Sequence, residues 1–100
     1  MLAVTRLRVP AAEEAAVTAA AHEALIALAA RPGFLAGDLG RSVDDPDLWL
    51  LSSRWSGVGA YRRGLSAYDV KVALGPLMAY VVDEPSAYAV VATFGARPPG

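Results

Sequence analysis

The alanine-rich stretch from Ala11 to Ala30 constrains the fold most, because it has helix signals at both ends. Glu13 and Glu14 lie in its first turn, where carboxylates interact favourably with the positive end of the helix dipole. Arg31 lies at its last turn, and a Pro-Gly pair follows as a stop signal. Since alanine side chains are small, such a helix can approach a flat surface closely. The stretch therefore predicts a helix that packs against a β-sheet.

Charged and polar residues argue against a membrane span or a signal peptide in the first third of the chain. His22 and Glu23 interrupt the alanine-rich stretch, which is only weakly apolar. Arg6 and Arg8 interrupt the opening segment, which lacks the basic start and the long apolar run of a signal peptide. We therefore expect a cytoplasmic protein.

The length and the apolar content together predict self-association. With 100 residues the chain has the size of one domain, and we expect a single domain over residues 1–100. Apolar residues make up 55% of the sequence, which is more than a soluble domain of this size usually carries. Part of this apolar surface needs cover from outside the monomer.

Charge and cysteine content exclude several kinds of partner and chemistry. The formal net charge is −1 and acids and bases are interspersed, so no basic patch predicts binding to nucleic acid or to an anionic membrane. The sequence has no cysteine, which removes disulfides, thiolate nucleophiles and cysteine-bound metals. The only histidine, His22, cannot build a multi-histidine metal site within one chain, so we expect no bound metal.

Four segments have the residue pattern of strands. Residues 2–9 alternate apolar and polar side chains and end at a proline. Residues 34–43 and 48–55 flank the turn sequence Asp-Asp-Pro-Asp, which predicts an antiparallel hairpin. Residues 87–94 form a last apolar run, and residues 94–100 are expected to be a frayed tail.

Helical periodicity returns between the third and the fourth strand. Val58, Tyr61 and Leu65 share one helical face. Ser66 with Asp69 forms a predicted capping box that starts a second short helix, which a Gly-Pro pair then breaks. The order of elements is βαββαβ. It predicts an α+β, ferredoxin-like sandwich with the helices on one face of the sheet.

The predicted sheet has apolar residues on both faces. Helices of one protomer cover only one of these faces, so the other is expected to pack against the sheet of a second copy. The sequence therefore predicts a homodimer that forms through sheet faces.

The register of the hairpin decides which side chains share a face. If Val43 pairs with Leu48, then Asp38 lies opposite Ser53 and on the same face as Trp55. A slip of one residue would exchange the faces. In this register the Asp38 carboxylate would be desolvated and its pKa raised, which suits a base that removes a proton.

The segment RPGFLAGDLGRSVDDPDLWLLSSRW, followed by a helix and by a strand after DEPSAY, resembles the antibiotic biosynthesis monooxygenase family. The likeness runs from Leu2 to about Phe94. Its most specific parts are the Pro-Gly-Phe before the second strand, the Asp-Pro-Asp turn, and Trp55 at the end of the third strand. The resemblance implies a dimeric α+β barrel with a small cavity between sheet and helices in each protomer.

In characterised members of this family, that cavity oxidises an aromatic polyketide or a related phenol with dioxygen and without flavin or metal. The resemblance thus implies a monooxygenase with a small aromatic substrate and no cofactor. Many members have a histidine about where Gly64 lies, and the best-studied oxygenases and the heme degraders use an asparagine, which this chain lacks. Two other hypotheses stay open on the same fold: a non-catalytic small-molecule-binding or polyketide-cyclase-like module, and a structural dimer with a closed cavity.

The resemblance makes Trp55 the first candidate for the substrate site, either as a flat wall against an aromatic ring or as a core residue. Tyr61 or Tyr68 would orient a substrate oxygen through its hydroxyl. The candidate bases are Asp38 and His22. For His22 the alternative is a position at the boundary or surface, because it lies to the side of the helix face that packs on the sheet.

Overall fold

The structure, a computed structural model, describes residues 1–95 and confirms the predicted order of elements, with the second helix divided in two. Most of the tail predicted over 94–100 lies outside the described residues. The strands are β1 Leu2–Arg8, β2 Phe34–Arg41, β3 Leu48–Trp55 and β4 Ala87–Tyr88. The α-helices are α1 Glu14–Ala29, α2 Val58–Ser66 and α3 Tyr68–Leu74, and short 3₁₀ helices span Ala11–Glu13 and Gly75–Tyr80.

The four strands pair antiparallel in the order β2-β3-β1-β4. This is the ferredoxin-like arrangement that the sequence predicts. β1 and β3 form the centre of the sheet and pair along their full lengths, from Leu2 opposite Arg54 to Arg8 opposite Leu48. The backbone of β3 is therefore hydrogen-bonded to a neighbouring strand along both edges, which fixes the positions of its side chains.

One face of the sheet is buried beneath the helices. On β3 every second residue is buried, namely Trp49, Leu51, Ser53 and Trp55. The buried residues of α1 are Val17, Ala21, Ala24 and Leu28. Because two of these are alanines, the helix backbone lies close to the sheet, as the alanine-rich sequence predicts.

Among the described residues, no helix covers the opposite face, which we call the open sheet face. Its apolar side chains are partly exposed and comprise Leu2, Val4, Leu48, Leu50 and Tyr88. One face of the sheet is therefore packed against helices, and the other has apolar surface in contact with solvent.

The predicted register of the β2–β3 hairpin is wrong by one residue. Asp38 lies opposite Ser52, not opposite Ser53. Because such a slip exchanges the two faces of a strand, Asp38 lies on the open sheet face, away from Trp55. The expectation that Asp38 is desolvated beside Trp55 is therefore wrong as well, since its side chain is exposed.

The turn explains this register. The hydroxyl of Ser42 accepts hydrogen bonds from the backbone N–H groups of Asp44 and Asp45, at 3.2 and 3.0 Å. Residues 42–47 thus form a loop, and β2 ends before it. Val43, which the sequence places at a strand end, lies in this loop and is 96% exposed.

The predicted capping box ahead of α3 is also wrong. Ala67, with an extended backbone, precedes α3, and no side chain caps the first turn. The Ser66 hydroxyl instead donates to the carbonyl of Arg62 at 2.8 Å, inside the preceding helix. At Gly75, where a break is predicted, the chain continues as a 3₁₀ helix.

The fourth strand is shorter than the predicted 87–94. Only two of its residues pair with β1, and the second of them, Tyr88, lies opposite Leu2. Because the two strands run antiparallel, residues 89–94 extend past the start of β1 and pair with no strand among the described residues. We call residues 89–94 the C-terminal arm. Val91 and Phe94 of this arm are 98% and 93% exposed.

Gly33, between α1 and β2, is expected to be sensitive to a single added methyl group. Its φ is +87°, and a Cβ there would lie 2.5 Å from the Cβ of Ala60 and 2.8 Å from Ser56 Oγ. We expect Gly33→Ala to lower the free energy of unfolding by about 2 kcal/mol or more. Urea denaturation measures this loss.

Gly75→Ala is the control for this prediction, because Gly75 has helical backbone angles and a Cβ there meets no atom within 4 Å. It is expected to change the free energy of unfolding by about 0.5 kcal/mol or less, or to increase it slightly. Equal stability of the two variants would contradict the steric argument for Gly33.

Candidate active site

A cavity of about 250 Å³ lies between the helix-covered face of the sheet and the helices, and we call it the inner cavity. Its wall is mostly apolar and includes Leu7, Leu28, Leu51, Leu65, Leu74 and Leu77. Its polar wall includes Thr5, Ser53 and Tyr61, while Arg6, Glu84 and Ser86 border it at the edge of the sheet. An apolar cavity with a few polar groups is the usual form of a small-molecule site.

Ser53 places a buried hydroxyl at the inner cavity. It is 7% exposed and lies on β3 between Leu51 and Trp55, in phase with the residues that face the helices. Its Oγ accepts a hydrogen bond from the indole N–H of Trp55 at 2.9 Å. Among the described residues the Ser53 hydroxyl donates to no protein acceptor, so its proton is available to a ligand. The bond from Trp55 also polarises this hydroxyl and makes it a stronger donor.

Trp55 lies in the core directly behind the wall of the inner cavity. It is 1% exposed and contacts the rings of Phe34 and Tyr61 edge to face, with centroid distances of 5.3 and 5.9 Å. Gly64 makes room for the indole, because a Cβ there would lie 2.8 Å from Trp55 Cη2. Trp55 itself is not part of the cavity lining. It therefore supports Ser53 and Tyr61, which are.

Of the two tyrosines proposed to orient substrate oxygens, Tyr61 lines the inner cavity and Tyr68 does not. Tyr61 is half-buried, with its ring against Trp55. Tyr68 is 82% exposed at the start of α3. The break at Ala67 separates the helices of the two tyrosines, so their side chains do not share one face.

Neither residue proposed as the base lies at the inner cavity. Asp38 is on the open sheet face, as the register of β2 requires. His22 is exposed on α1, whose buried positions include the neighbouring Ala21 and Ala24. The structure thus brings neither of these side chains together with Tyr61.

An ion pair between Arg6 and Glu84 lies at the edge of the sheet along β1. Arg6 is opposite Leu50, so its side chain is on the open sheet face. The Nε and Nη2 groups of Arg6 donate to the two carboxylate oxygens of Glu84 at 2.7 and 2.5 Å. These hydrogen bonds lower the pKa of Glu84 against the opposing effect of burial, and the positive charge of Arg6 lowers it further. Glu84 is therefore an ionised acceptor at neutral pH.

Two features were not predicted from the sequence: Ser53 at the inner cavity, and the Arg6–Glu84 pair at the edge of the sheet. Ser53 carried a usable signal, because it is a polar residue in phase with Leu51 and Trp55 on a strand that buries alternate positions. The ion pair carried no local signal, since 78 positions separate its two residues.

The chemistry available in the inner cavity follows from its ionisable groups. Tyr61 is the ionisable side chain that the helices bring to it, whereas Arg6, which is paired with Glu84, has its side chain on the open sheet face. Within residues 1–95, no three His, Cys, Asp or Glu side chains are grouped so as to hold a metal ion. In the same part of the chain, no helix has both the length and the apolar character needed to cross a bilayer.

The family model for antibiotic biosynthesis monooxygenases matches residues 1–67. The chain belongs to the antibiotic biosynthesis monooxygenase family. This confirms the resemblance seen in the sequence. The matched part of this monooxygenase-family chain runs from β1 through α2 and contains Ser53, Trp55 and Tyr61. No curated protein sequence matches the chain at a significant level.

Several solved structures share the fold of this family member. A variant of SnoaB, a cofactor-independent oxygenase from Streptomyces nogalater, has a TM-score of 0.83 at 22% identity, over 95% of this chain and 96% of that one. A Deinococcus radiodurans protein, provisionally named an antibiotic biosynthesis monooxygenase, has a TM-score of 0.79 at 18% identity, over 96% and 97%. Rv0793 from Mycobacterium tuberculosis has a TM-score of 0.71 at 17% sequence identity, over 95% of each chain. Likeness at these identities shows the fold.

Replacing Gly64 by alanine is expected to destabilise the protein, although alanine is the better helix former. A Cβ there would lie 2.8 Å from Cη2 and 3.0 Å from Cζ3 of Trp55, so the buried indole would have to move. We expect Gly64→Ala to lower the free energy of unfolding by about 1–3 kcal/mol. Urea denaturation measures the loss, and near-ultraviolet circular dichroism reports the moved indole.

Gly59→Ala in the same helix is the matched control. The atoms nearest to its Cβ belong to the flexible side chain of Arg63, so helix propensity is expected to add about 0.5–1 kcal/mol. A Gly64→Ala variant that gains stability as Gly59→Ala does would show that Trp55 does not need the space at Gly64.

Proposed function

We propose that the chain is a cofactor-independent oxygenase that oxidises a small phenolic or polyketide-like aromatic molecule with dioxygen in the inner cavity. The observation that carries this proposal is the presence of the Ser53 and Tyr61 hydroxyls on a mostly apolar cavity wall. Membership of the antibiotic biosynthesis monooxygenase family supports it. The similar fold of SnoaB, a cofactor-independent oxygenase, supports it as well.

The substrate itself supplies the electrons for this reaction. An anthrone-like molecule that has lost a proton from its reacting CH₂ carbon transfers one electron to dioxygen, which gives a carbon radical and superoxide. The two combine to form a C–O bond, and the peroxide anion takes up a proton. Loss of water then removes the second hydrogen of that carbon and breaks the O–O bond. The CH₂ group becomes a carbonyl, and the other oxygen atom leaves as water.

The protein's part is to stabilise the substrate anion and to exclude water. Ser53 and Tyr61 each offer a hydroxyl donor to the anionic oxygen, and such donors are most effective in a site of low dielectric constant. Trp55 holds both of them in place through its N–H and its ring edge. The leucine wall keeps water away from the radical pair and the peroxide.

The proton leaves without a dedicated base in this proposal. Asp38, His22 and Tyr68 do not line the inner cavity, so the geometry does not support the roles expected for them. Hydrogen bonds to the ionised form of a phenol lower its pKa. Ser53 and Tyr61 therefore favour binding of the ionised substrate, which loses its proton to bulk solvent before it enters the cavity.

A non-catalytic small-molecule-binding module is the second candidate function. The observation that favours it is that neither residue expected to be a base reaches the inner cavity. A cavity of this kind binds an aromatic molecule whether or not it reacts with dioxygen.

Oxygen uptake separates the two functions. Purified protein that contains no flavin and no metal is expected to consume dioxygen when anthrone is added, and to convert the anthrone to anthraquinone. Ser53→Ala and Tyr61→Phe are each expected to lower kcat/KM by about 10- to 100-fold, because each removes one donor to the anion. Ser52→Ala is the control, since it changes the neighbouring residue on the opposite face of β3 and is expected to leave the rate unchanged.

Each alternative outcome excludes part of the proposal. Tight binding of anthrone without oxygen uptake would replace the oxygenase by the binding module. Uptake that needs added flavin or metal would contradict cofactor independence. Equal rates for the wild type and both hydroxyl variants would contradict the roles of Ser53 and Tyr61.

We also propose that the protein acts as a homodimer, with a second copy covering the open sheet face and the C-terminal arm. The open sheet face carries partly exposed leucines, and the arm exposes Val91 and Phe94. A strand with unpaired backbone groups and apolar side chains readily pairs with another chain. A second copy offers the same face and the same arm, as a twofold arrangement requires.

The double variant Val91→Ser/Phe94→Ser is expected to dissociate this dimer, because it removes the exposed apolar side chains of the arm. Sedimentation velocity at micromolar concentration measures the change from dimer to monomer, and circular dichroism checks that the fold is kept. Val43→Ser removes an equally exposed side chain from the β2–β3 loop and is expected to leave the dimer intact. A monomeric wild type, or a dimeric double variant, would refute the proposed interface.

A further inference from the structure

Thr5 places a third hydroxyl at the inner cavity, besides those of Ser53 and Tyr61. It lies on β1 opposite Leu51, which is buried beneath the helices. Ala3 and Leu7, two residues to either side of Thr5, are 5% and 0% exposed, so this row of β1 side chains faces the helices. Thr5 also lines the inner cavity. The strand register and the lining together place its side chain on the cavity floor.

The hydroxyl of Thr5 is free to bond to a ligand. Within residues 1–95, the one buried side-chain nitrogen or oxygen that lacks a hydrogen-bond partner is Nε of Arg31. Thr5 Oγ1 forms no hydrogen bond within the same residues, so it is accessible, and the space that it faces is the inner cavity. The hydroxyl of Thr18, by contrast, donates to the Glu14 carbonyl at 2.8 Å. Thr5 therefore offers a ligand both a donor and an acceptor.

Strand β1 does not need this hydroxyl. Valine has the branched shape of threonine and is equally suited to a strand, and it would continue the apolar row that Ala3 and Leu7 form. A hydroxyl on such a row costs free energy when a ligand or neighbour covers it without bonding to it. A ligand oxygen that bonds to Thr5 explains why a polar residue is placed here.

The pairing of β1 with β3 fixes the spacing between Thr5 and Ser53. Ala3 lies opposite Ser53, so Thr5 and Ser53 are diagonal neighbours on the same face of adjacent strands. Such neighbours lie roughly 7–8 Å apart, and their Cβ atoms somewhat closer. This spacing suits two separate oxygens of one ligand. Oxygens on alternate carbons of an aromatic ring fit it better than oxygens on adjacent carbons, which lie closer together.

We infer that Thr5 recognises a second oxygen of the ligand, and that the inner cavity takes an aromatic molecule with two hydroxyl groups meta to each other on one ring. One oxygen of this molecule lies at Ser53 and Tyr61, and the other lies at Thr5. The leucine wall covers the ring carbons. The inference deepens the proposed function and rests on it only in that the inner cavity is the ligand site.

Three matched probes test this inference by calorimetric titration of the full chain without dioxygen, which prevents turnover. They are 2-naphthol, 1,3-dihydroxynaphthalene, which adds a hydroxyl meta to the first, and 2,3-dihydroxynaphthalene, which adds it on the adjacent carbon. The wild type is expected to bind the meta diol about 3- to 10-fold more tightly than 2-naphthol, as one further hydrogen bond allows. It is expected to bind the adjacent diol within about twofold of 2-naphthol.

Thr5→Val keeps the shape of the side chain and removes the hydroxyl. It is expected to abolish the preference for the meta diol and to change the affinity for 2-naphthol by less than about twofold. Thr5→Ser keeps a hydroxyl and is expected to keep the preference. Thr18→Val, the same substitution on α1 outside the inner cavity, is expected to keep it as well. If Thr5→Val fails to fold by circular dichroism, Thr5→Ala is compared with Thr5→Ser instead.

The outcomes separate this inference from the proposed function. If the wild type binds 2-naphthol and the meta diol equally, or if the preference survives in Thr5→Val, the assignment of Thr5 is wrong while the inner cavity remains an aromatic site. If no probe binds at millimolar concentration, the inference and the proposed function fail together. A preference that Thr5→Val removes, in a protein that consumes no dioxygen with anthrone, would support the inference and replace the oxygenase by the binding module.

Discussion

The burial of the Trp55 indole is the constraint on which the rest of the site depends. A buried indole N–H needs an acceptor, and Ser53, two residues earlier on the same face of β3, accepts its hydrogen bond at 2.9 Å. The ring also needs space, which Gly64 leaves open on α2. Its edge then fixes the ring of Tyr61. One aromatic side chain thereby positions the hydroxyls of both Ser53 and Tyr61.

The small number of polar groups in the inner cavity fits the proposed chemistry with dioxygen. In that proposal the leucine wall excludes water that would intercept a peroxide, and a few hydroxyl donors stabilise the anion. The fold alone does not require this chemistry, since the same apolar wall would bind an unreactive aromatic molecule equally well. The deciding property is whether the cavity favours the ionised form of its ligand.

Local patterns predicted the fold well, whereas hydrogen bonds within a turn and contacts between distant segments decided much of the rest. The alternation of β3 and the alanines of α1 showed which faces are buried, because each pattern reflects the period of one element. The position of Asp38 depended on hydrogen bonds of Ser42 in the turn, which strand periodicity does not reveal. The length of β4 depended on where β1 begins. Ser53 was predictable because it lies in phase with the buried residues of β3. The pairing of Arg6 with Glu84 was not predictable, because the two residues are far apart in the sequence.

The most direct test of this account is the ionisation of a phenol bound in the inner cavity. 4-Nitrophenol reports its own ionisation by absorbance, so a pH titration gives its pKa when bound for comparison with its pKa in water. If Ser53 and Tyr61 donate to the oxyanion, the bound phenol ionises at lower pH than the free phenol, and Ser53→Ala reverses part of this shift. A bound phenol that ionises at higher pH than in water, as burial in a purely apolar cavity would cause, would contradict the account.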